Sequence, residues 1–238
     1  MRLIFIDETS DRKFKNFLGF SICTVDSRFY SRIKKNAHEI LRAVEWSPSI
    51  EFKGSHLFSA SKGCTAVEVQ RRVEAAHRLL DLNISLKNCR MRFSFGKLSS
   101  VDHAGDYLRL LPGLLHKALP TALKGAGKDL AAVVVDERSD VKAQEVHEAL
   151  KPAVAKRGYV LFEQVIVARS SFDTVGLMFA DLVGYLQGRI ETISNDVEFL
   201  DGIPEQHFEM NGSLMKLRSS KELIAKLKSL DVYVPKPT

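Results

Sequence analysis

The sequence predicts an α/β fold, a mixed sheet of about five strands with helices on its faces. Two continuous apolar runs, residues 3–6 and 133–135, have the composition of strands that are covered on both faces of a sheet. In the second half of the chain, strand-like and helix-like segments alternate, as they do when helical crossovers join parallel strands. The 238 residues, 45% of them hydrophobic, can form one domain with a substantial core.

The N-terminal segments predict a hairpin followed by a helix. Residues 2–6 read as a central strand, and residues 16–25 read as its partner, reached through a polar turn at residues 9–15. Residues 27–44 predict a helix. Pro48 ends it, because the residue before a proline disfavours helical dihedral angles.

The middle of the chain predicts helix, strand and helix. Thr65 to Glu68 has the spacing of a capping box and opens an amphipathic helix that reaches Leu80. From Cys89, apolar and polar residues alternate, which predicts a half-exposed strand at an edge of the sheet. A helix over residues 106–123 should be kinked or divided at Pro112.

The second half predicts two more strands and their helices. Residues 129–135 form a buried strand, residues 141–157 a helix that Gly158 ends, and residues 159–168 a further strand. The last core helix spans residues 174–192. We expect residues 1–195 to form the domain, and residues 196–238 to form a loop and a basic helix that packs on it.

The charge balance favours a polyanionic partner. Lys and Arg number 35 against 29 Asp and Glu, which gives a net charge of +6. Five cations lie in a predicted amphipathic helix over residues 214–230: Lys216, Arg218, Lys221, Lys226 and Lys228. They form either the solvated face of that helix or a surface that contacts phosphates.

Several classes of protein are disfavoured by the sequence. The three cysteines are far apart, so they predict neither a disulfide framework nor a zinc site, and they fit a reducing cytoplasm. The N-terminus reaches an acid too soon for a signal peptide, and no apolar stretch approaches the ~20 residues of a membrane helix. We therefore expect a soluble, cytoplasmic protein. No glycine-rich phosphate loop or nucleophile elbow is present in the sequence.

Two acids follow the two most apolar strands. Asp7 and Asp136 come directly after residues 3–6 and 133–135. Parallel neighbouring strands would hold these acids roughly 5 Å apart at the backbone. Carboxylates that close must be protonated or share a cation, so the pattern predicts a metal site. Taken singly, an Asp after a strand is more often a turn former or a helix cap.

A third acid, Asp181, lies on a largely apolar helix face. Its neighbours three and four positions away are Leu177, Met178, Gly184 and Tyr185. A buried carboxylate is costly unless it meets a cation, a hydrogen-bond donor or another acid. The alternative to a metal ligand is a salt bridge to Lys or Arg.

Glu51 and Lys53 lie in a loop-like segment. A solvated acid is the default interpretation of Glu51, and an exposed lysine such as Lys53 usually reaches only water, although it could reach a phosphate. His56 is a possible neighbour of the site.

Four segments together resemble the domain-of-unknown-function family numbered 3800. They are residues 4–9 (IFIDET), 51–55 (EFKGS), 133–137 (VVVDE) and the stretch from Ser171 to Val183. The family's pattern is an IDESG strand, an ELK segment, a VVVDE strand and a closing S…LQLADL helix. The order and spacing of the blocks are preserved from Arg2 to about Arg189.

The resemblance implies a ribonuclease H-like fold with a helical insertion, about residues 27–82, between strands two and three. Carried over by position, it also implies four site acids: Asp7, Glu51, Asp136 and Asp181. The chain departs from the pattern at Thr9 and Ser10, where Ser-Gly is usual, and at Met178, where Gln is usual.

These observations predict a metal-dependent phosphodiesterase that acts on DNA or RNA. The four acids would hold two Mg²⁺ or Mn²⁺ ions, because carboxylate oxygens without thiolate or imidazole select such cations. Lys53 and Ser171 are the predicted substrate contacts. Glu8 and Glu137 are predicted to support the ligands.

Two rival functions remain open from the sequence. The fold and its acids could serve a binding module without turnover, for nucleic acid or a partner protein. An aspartyl-phosphate phosphatase with Asp7 as the nucleophile would normally need another acid two residues on, where Thr9 stands.

Overall fold

A computed structural model of the 238-residue chain describes residues 1–11, 17–47, 52–54, 66–85, 91–99, 102–123, 129–199, 221–230 and 232–234. Several predicted features lie outside these ranges, among them Pro48, which was expected to end a helix, the site acid Glu51, the possible site neighbour His56, the capping residue Thr65, the start of the strand at Cys89, and the first part of the basic helix with Lys216 and Arg218.

A six-stranded mixed sheet forms the centre of the fold. Its strands are β1 (Arg2–Asp11), β2 (Phe17–Asp26), β3 (Arg92–Lys97), β4 (Asp129–Asp136), β5 (Tyr159–Leu161) and β6 (Ile166–Ala168). They are arranged in the order β3-β2-β1-β4-β5, and β6 also pairs with β4. The strand β2 is antiparallel to β1 and β3, whereas β4 is parallel to β1, β5 and β6.

Five helices named in chain order accompany the sheet: α1 (Ser27–Ala43), α2 (Ala66–Ser85), α3 (His103–Ala118), α4 (Ala143–Lys156) and α5 (Val175–Phe199). Buried side chains of α3 and α4 form one core with the sheet, and those of α1, α2 and α5 form a second core on the other face. This arrangement confirms the predicted fold class.

The central strand β1 contributes to both cores because successive side chains point to opposite faces. Ile4 and Ile6 pack in the core with α3 and α4, and Phe5 packs in the core with α5. Asp7 follows the same alternation and lies on the α5 side. The buried sheet thus determines the face on which the first acid lies.

Two predicted boundaries were wrong near the sheet. The strand β1 continues from Ile6 to Asp11, because β2 supplies partners for the polar residues, with Asp7 opposite Ser21. The segment 159–168 forms two short strands instead of one, and both pair with β4.

Helix α3 is continuous through Pro112 rather than divided there. Proline removes one hydrogen bond of the helix, but buried Leu111, Leu114 and Leu115 hold both sides of the proline in the core. Because this apolar face is packed on both sides of Pro112, α3 stays one helix where the sequence predicted a kink or a division.

The prediction that β3 is half-exposed was also wrong. Ser94 is fully buried and donates a hydrogen bond to the carbonyl of Leu114 at 3.0 Å. The C-terminal segment covers the far edge of β3, since the amide of Phe95 donates to Tyr233 at 2.8 Å and the amide of Tyr233 donates to Phe93 at 3.1 Å.

Residues 221–228 form the described part of the basic C-terminal helix. Its apolar face, with Leu223 and Leu227, belongs to the core that contains α2. Lys226 is 2.5 Å from Asp81 of α2. In the part of the chain that the structure describes, no helix is long and apolar enough to cross a membrane.

Candidate active site

The first two predicted acids lie side by side: Asp7 directly follows the part of β1 that pairs with β4, and Asp136 is the last residue of β4. The strands are parallel neighbours, and Ile6 is opposite Val135, one residue before each acid. The carboxyl groups of Asp7 and Asp136 share a hydrogen bond. The predicted adjacency of these two acids is confirmed.

Asp181 approaches the pair from helix α5, which lies across β1 and β2. Close packing is possible because Gly176 lies against the ring of Phe5 and Gly184 lies against Ser21, where a Cβ atom would meet the Ser21 hydroxyl at 3.1 Å. The Ser21 hydroxyl also donates to the carbonyl of Ala180, the residue before Asp181. Small residues on the helix therefore bring the third acid to the same face of the sheet.

The three acids affect one another electrostatically. The pKa of Asp7 is raised well above its usual value, chiefly by burial, and then by the negative charges of Asp181 and Asp136. The pKa of Asp136 is also raised by burial, although the hydrogen bond from Asp7, an amide of Ser170 and the charge of Lys53 oppose the rise. The pair Asp7 and Asp136 therefore keeps a proton to a higher pH than an isolated carboxyl group does.

The segment 52–54 is fixed between the acids by hydrogen bonds at both of its ends. The amide of Gly54 donates to Asp181 Oδ2 at 2.8 Å, and the carbonyl of Phe52 accepts from the Ser170 hydroxyl at 3.3 Å. Lys53 lies between these two anchors and near enough to Asp136 to lower its pKa. The predicted phosphate contact is thus adjacent to the acids.

Glycine is required at position 54 by its distance from α5. A Cβ atom there would lie 2.5 Å from Tyr185 Cβ and 2.9 Å from Tyr185 Cγ. Such distances exclude every other residue without a shift of the backbone. The fourth predicted acid, Glu51, comes directly before this segment and lies outside the described residues.

Ser170 is a site residue that sequence reasoning missed. Its amide donates to Asp136 Oδ1 at 3.2 Å, so the residue connects the β4 acid to the segment at Phe52. The amide of the neighbouring Ser171, whose role as a substrate contact stays a prediction, donates to Thr174 Oγ1 at 2.7 Å just before α5. The signal in the sequence was a pair of serines after a strand, and only the fold distinguishes them.

Glu8 lies on the side of β1 opposite Asp7, as the alternation of a strand requires. Its Oε2 atom is 2.7 Å from Arg138 Nη1, and the pKa of Glu8 is raised by burial, against the effect of that cation. Arg138 also bonds Asp140 at 2.9 Å and stacks over Tyr107 at 4.3 Å. This buried arginine, which was not singled out from the sequence, connects the end of β1 to the segment after β4.

Glu137, the other predicted supporting acid, is in an exposed ion pair. Its Oε2 atom is 2.7 Å from Arg169 Nε, and both side chains are more than half exposed, at 55% and 78%. Glu137 therefore lies at the surface beside the acid cluster.

The donor set of the cluster fits a hard divalent cation in its chemistry. Asp7, Asp136 and Asp181 supply only carboxylate oxygens, and the repulsion between their charges would be relieved by a positive ion. Among the residues that the structure describes, no group of three or more acids, histidines or cysteines is arranged as a ready metal cage. To coordinate such an ion, the site would need side-chain adjustment or a further ligand.

Comparisons with known proteins give structural similarities only. No family model and no curated protein sequence matches the chain. Among solved structures, the chain is similar to ribonuclease HII of Archaeoglobus fulgidus in a complex with PCNA, at 12% identity and a TM-score of 0.43, over 86% of this chain and 81% of that one. It is also similar to ribonuclease H2 of Pyrococcus horikoshii OT3, at 12% identity and a TM-score of 0.41, over 96% and 99% of the two chains. A further similar structure is Bst ribonuclease HIII in complex with Mn²⁺, at 12% identity and a TM-score of 0.40, over 96% and 69%.

Proposed function

We propose that this protein is a divalent-metal-dependent phosphodiesterase that cleaves nucleic acid, within a ribonuclease H-like fold and related to the domain-of-unknown-function family 3800. The observation that carries the proposal is the meeting of Asp7, Asp136 and Asp181 on one face at the carboxyl end of the parallel strands. Ligands of open α/β sheets bind at this end of the strands.

Asp7 has the properties of a metal ligand rather than those of a carboxylate in a structural ion pair. Asp7 is only 5% exposed, and its pKa is raised by burial and by two other acids. A structural carboxylate that pairs with a cation would have a lowered pKa, as Asp26 does beside Arg28, with a pKa of about 2. The buried acid cluster is therefore a place where a cation stabilises the fold.

We assign the metal ligands to Asp7, Asp136 and Asp181, and we keep Glu51 as the fourth. Divalent ions bound there would activate a water and stabilise the leaving oxygen of an in-line displacement. Lys53 would contact the phosphate of the substrate from the segment that Ser170 and Asp181 anchor. Ser170 would orient Asp136 through the hydrogen bond of 3.2 Å that its backbone amide donates to Asp136 Oδ1.

The test is cleavage of labelled single-stranded DNA, RNA and hybrid duplexes with Mg²⁺ or Mn²⁺, and with EDTA instead. We expect metal-dependent cleavage by the wild-type protein and a loss of at least about 100-fold in Asp136→Asn, because the change removes a ligand charge. Glu137→Gln is the matched control, since the same chemical change falls on an exposed neighbour paired with Arg169. Near wild-type turnover in Asp136→Asn would contradict the assignment.

The alternative, a nucleic-acid-binding module without turnover, makes a different prediction in the same assay. It would retain binding of the labelled strands in a gel-shift measurement, with no cleavage in any metal. The net charge of +6, which suits a polyanionic partner whether or not that partner is cleaved, is the observation behind this alternative.

A further inference from the structure

An open groove lies between the ends of α3 and α4, away from the acid cluster. Its volume is about 590 Å³, and its walls are largely apolar, with Leu110, Leu114, Pro152 and Ala153 among them. Helix α4 ends just before Tyr159, which pairs with Asp129, the first residue of β4. The groove therefore lies about 20 Å along β4 from Asp136, at the opposite end of the sheet.

The walls of the groove are held in place by bonds between different elements. Arg157, directly after α4, donates from Nε to the carbonyl of His116 at 2.9 Å and so connects the ends of the two helices. Tyr233 forms another wall and is bound to β3, because its carbonyl accepts from the amide of Phe95 and its amide donates to the carbonyl of Phe93. A ligand would thus meet a preformed surface, which lowers the entropic cost of binding.

The charged side chains among the described residues of the lining are basic. His116, Lys117 and Lys156 lie there, and none of the described lining residues is an acid. The pKa of His116 is lowered by burial and by the surrounding charges of Arg157, Lys156 and Lys117. Cations are favourable at the carboxyl ends of helices, which explains part of the cluster, but it does not explain the apolar groove between them.

We propose that this groove is a docking site for an acidic, apolar peptide segment of a partner protein. Acidic side chains of the peptide would pair with Lys117 and Lys156 at the rim, and apolar side chains would cover the wall formed by Leu110, Leu114 and Ala153. A nucleic-acid strand fits less well, because Lys117 already covers the ring of Tyr233 at 5.4 Å and the lining is mainly aliphatic.

Gly113 allows the groove to be blocked without damage to the core. A Cβ atom at this position would meet nothing within 4 Å, and the residue lies on the lining in the exposed part of α3. Gly113→Leu therefore fills the groove, whereas Gly113→Ala adds only a methyl group. Both changes also favour the helix, so the fold should be retained.

The experiment selects peptides from a random-sequence display library on the full-length wild-type protein, and then measures binding of the selected peptides by fluorescence anisotropy. We expect selected sequences rich in Asp, Glu and large apolar residues. Their affinity should fall at least about tenfold in Gly113→Leu and in Lys117→Glu/Lys156→Glu. Gly113→Ala and Lys151→Glu, an exposed charge change outside the lining, are the matched controls and should bind as the wild type does.

Three results would overturn the proposal. The first is a selection that yields no binder, or binders without acidic residues. The second is binding of acidic peptides that is unchanged in Gly113→Leu. The third is a labelled oligonucleotide that binds the wild type, is blocked by Gly113→Leu and displaces the peptides, which would assign the groove to nucleic acid.

Discussion

At the level of single residues, Asp7 combines burial, two neighbouring like charges and a position directly after the part of β1 that pairs with β4. Its raised pKa means that the folded protein holds a proton there at pH values at which the unfolded chain has lost it. The stability contributed by that proton is complete below the ordinary pKa near 3.8. It is lost as the pH rises through the higher pKa of the folded state.

Asp7→Asn should therefore stabilise the metal-free protein at neutral pH. Asparagine keeps a donor for Asp136 but cannot ionise, so the gain in stability should appear above about pH 4 and grow as the pH rises. Urea unfolding in EDTA at several pH values between about 4 and 8 measures it. Glu137→Gln, which leaves the buried cluster intact, is the control. A mutant that is less stable than the wild type at pH 7 would contradict the buried-proton interpretation.

At the level of elements, the site depends on how closely the segment 52–54 approaches helix α5. Gly54 is the contact point, with its amide on Asp181 and no room for a Cβ atom beside Tyr185. Helix α5 also packs closely on the sheet, with Gly176 against Phe5 of β1 and Gly184 against Ser21 of β2. The close approach of these backbones therefore positions Asp181.

Gly54→Ala should destabilise the protein by about 1–3 kcal/mol, because overpacking forces the segment away from α5. Gly113→Ala is the matched change at an open helical position and should be neutral or stabilising by up to about 1 kcal/mol. Thermal and urea unfolding of the two variants provide the comparison. Equal stabilities of the two variants would mean that residues 52–54 do not pack on α5 as the structure shows.

At the level of the whole molecule, the sheet lies between two cores, and three acids lie together at the carboxyl end of its parallel strands. The protein as a whole is basic, with a net charge of +6, so the acid cluster is a local exception to the overall charge. An ion that binds only the folded state stabilises that state by mass action.

Mn²⁺ should raise the melting temperature of the wild-type protein by an increment that grows with the logarithm of its concentration. Asp181→Asn should stabilise the metal-free protein, by removing a charge beside Asp7, and should shrink the metal-induced shift. Thermal melts of both proteins, with EDTA and with increasing Mn²⁺, distinguish a metal ligand from a structural ion pair at Asp181. A metal-free mutant that is destabilised while its response to Mn²⁺ is intact would assign Asp181 to a structural ion pair.

The sequence by itself determined the fold class and the pair of strand acids. Continuous apolar runs define buried central strands, and the parallel pairing of two such strands brings Asp7 and Asp136 together. The burial of Asp181 also followed from its apolar neighbours on α5. These features depend on local patterns of polarity, which a linear sequence records directly.

The tertiary structure alone decided which groups support the acids. Ser170 rather than Ser171 contacts Asp136, Arg138 holds Glu8, and Gly54 meets Asp181 across 127 positions of the chain. No local pattern predicts such contacts, because each depends on how distant segments pack. The same holds for Tyr233, which reaches the edge of β3 and forms a wall of the basic groove. The hydrophobic pattern of the sequence determines which helices and strands form. The close contacts between backbones and the positions of charged side chains depend on tertiary packing.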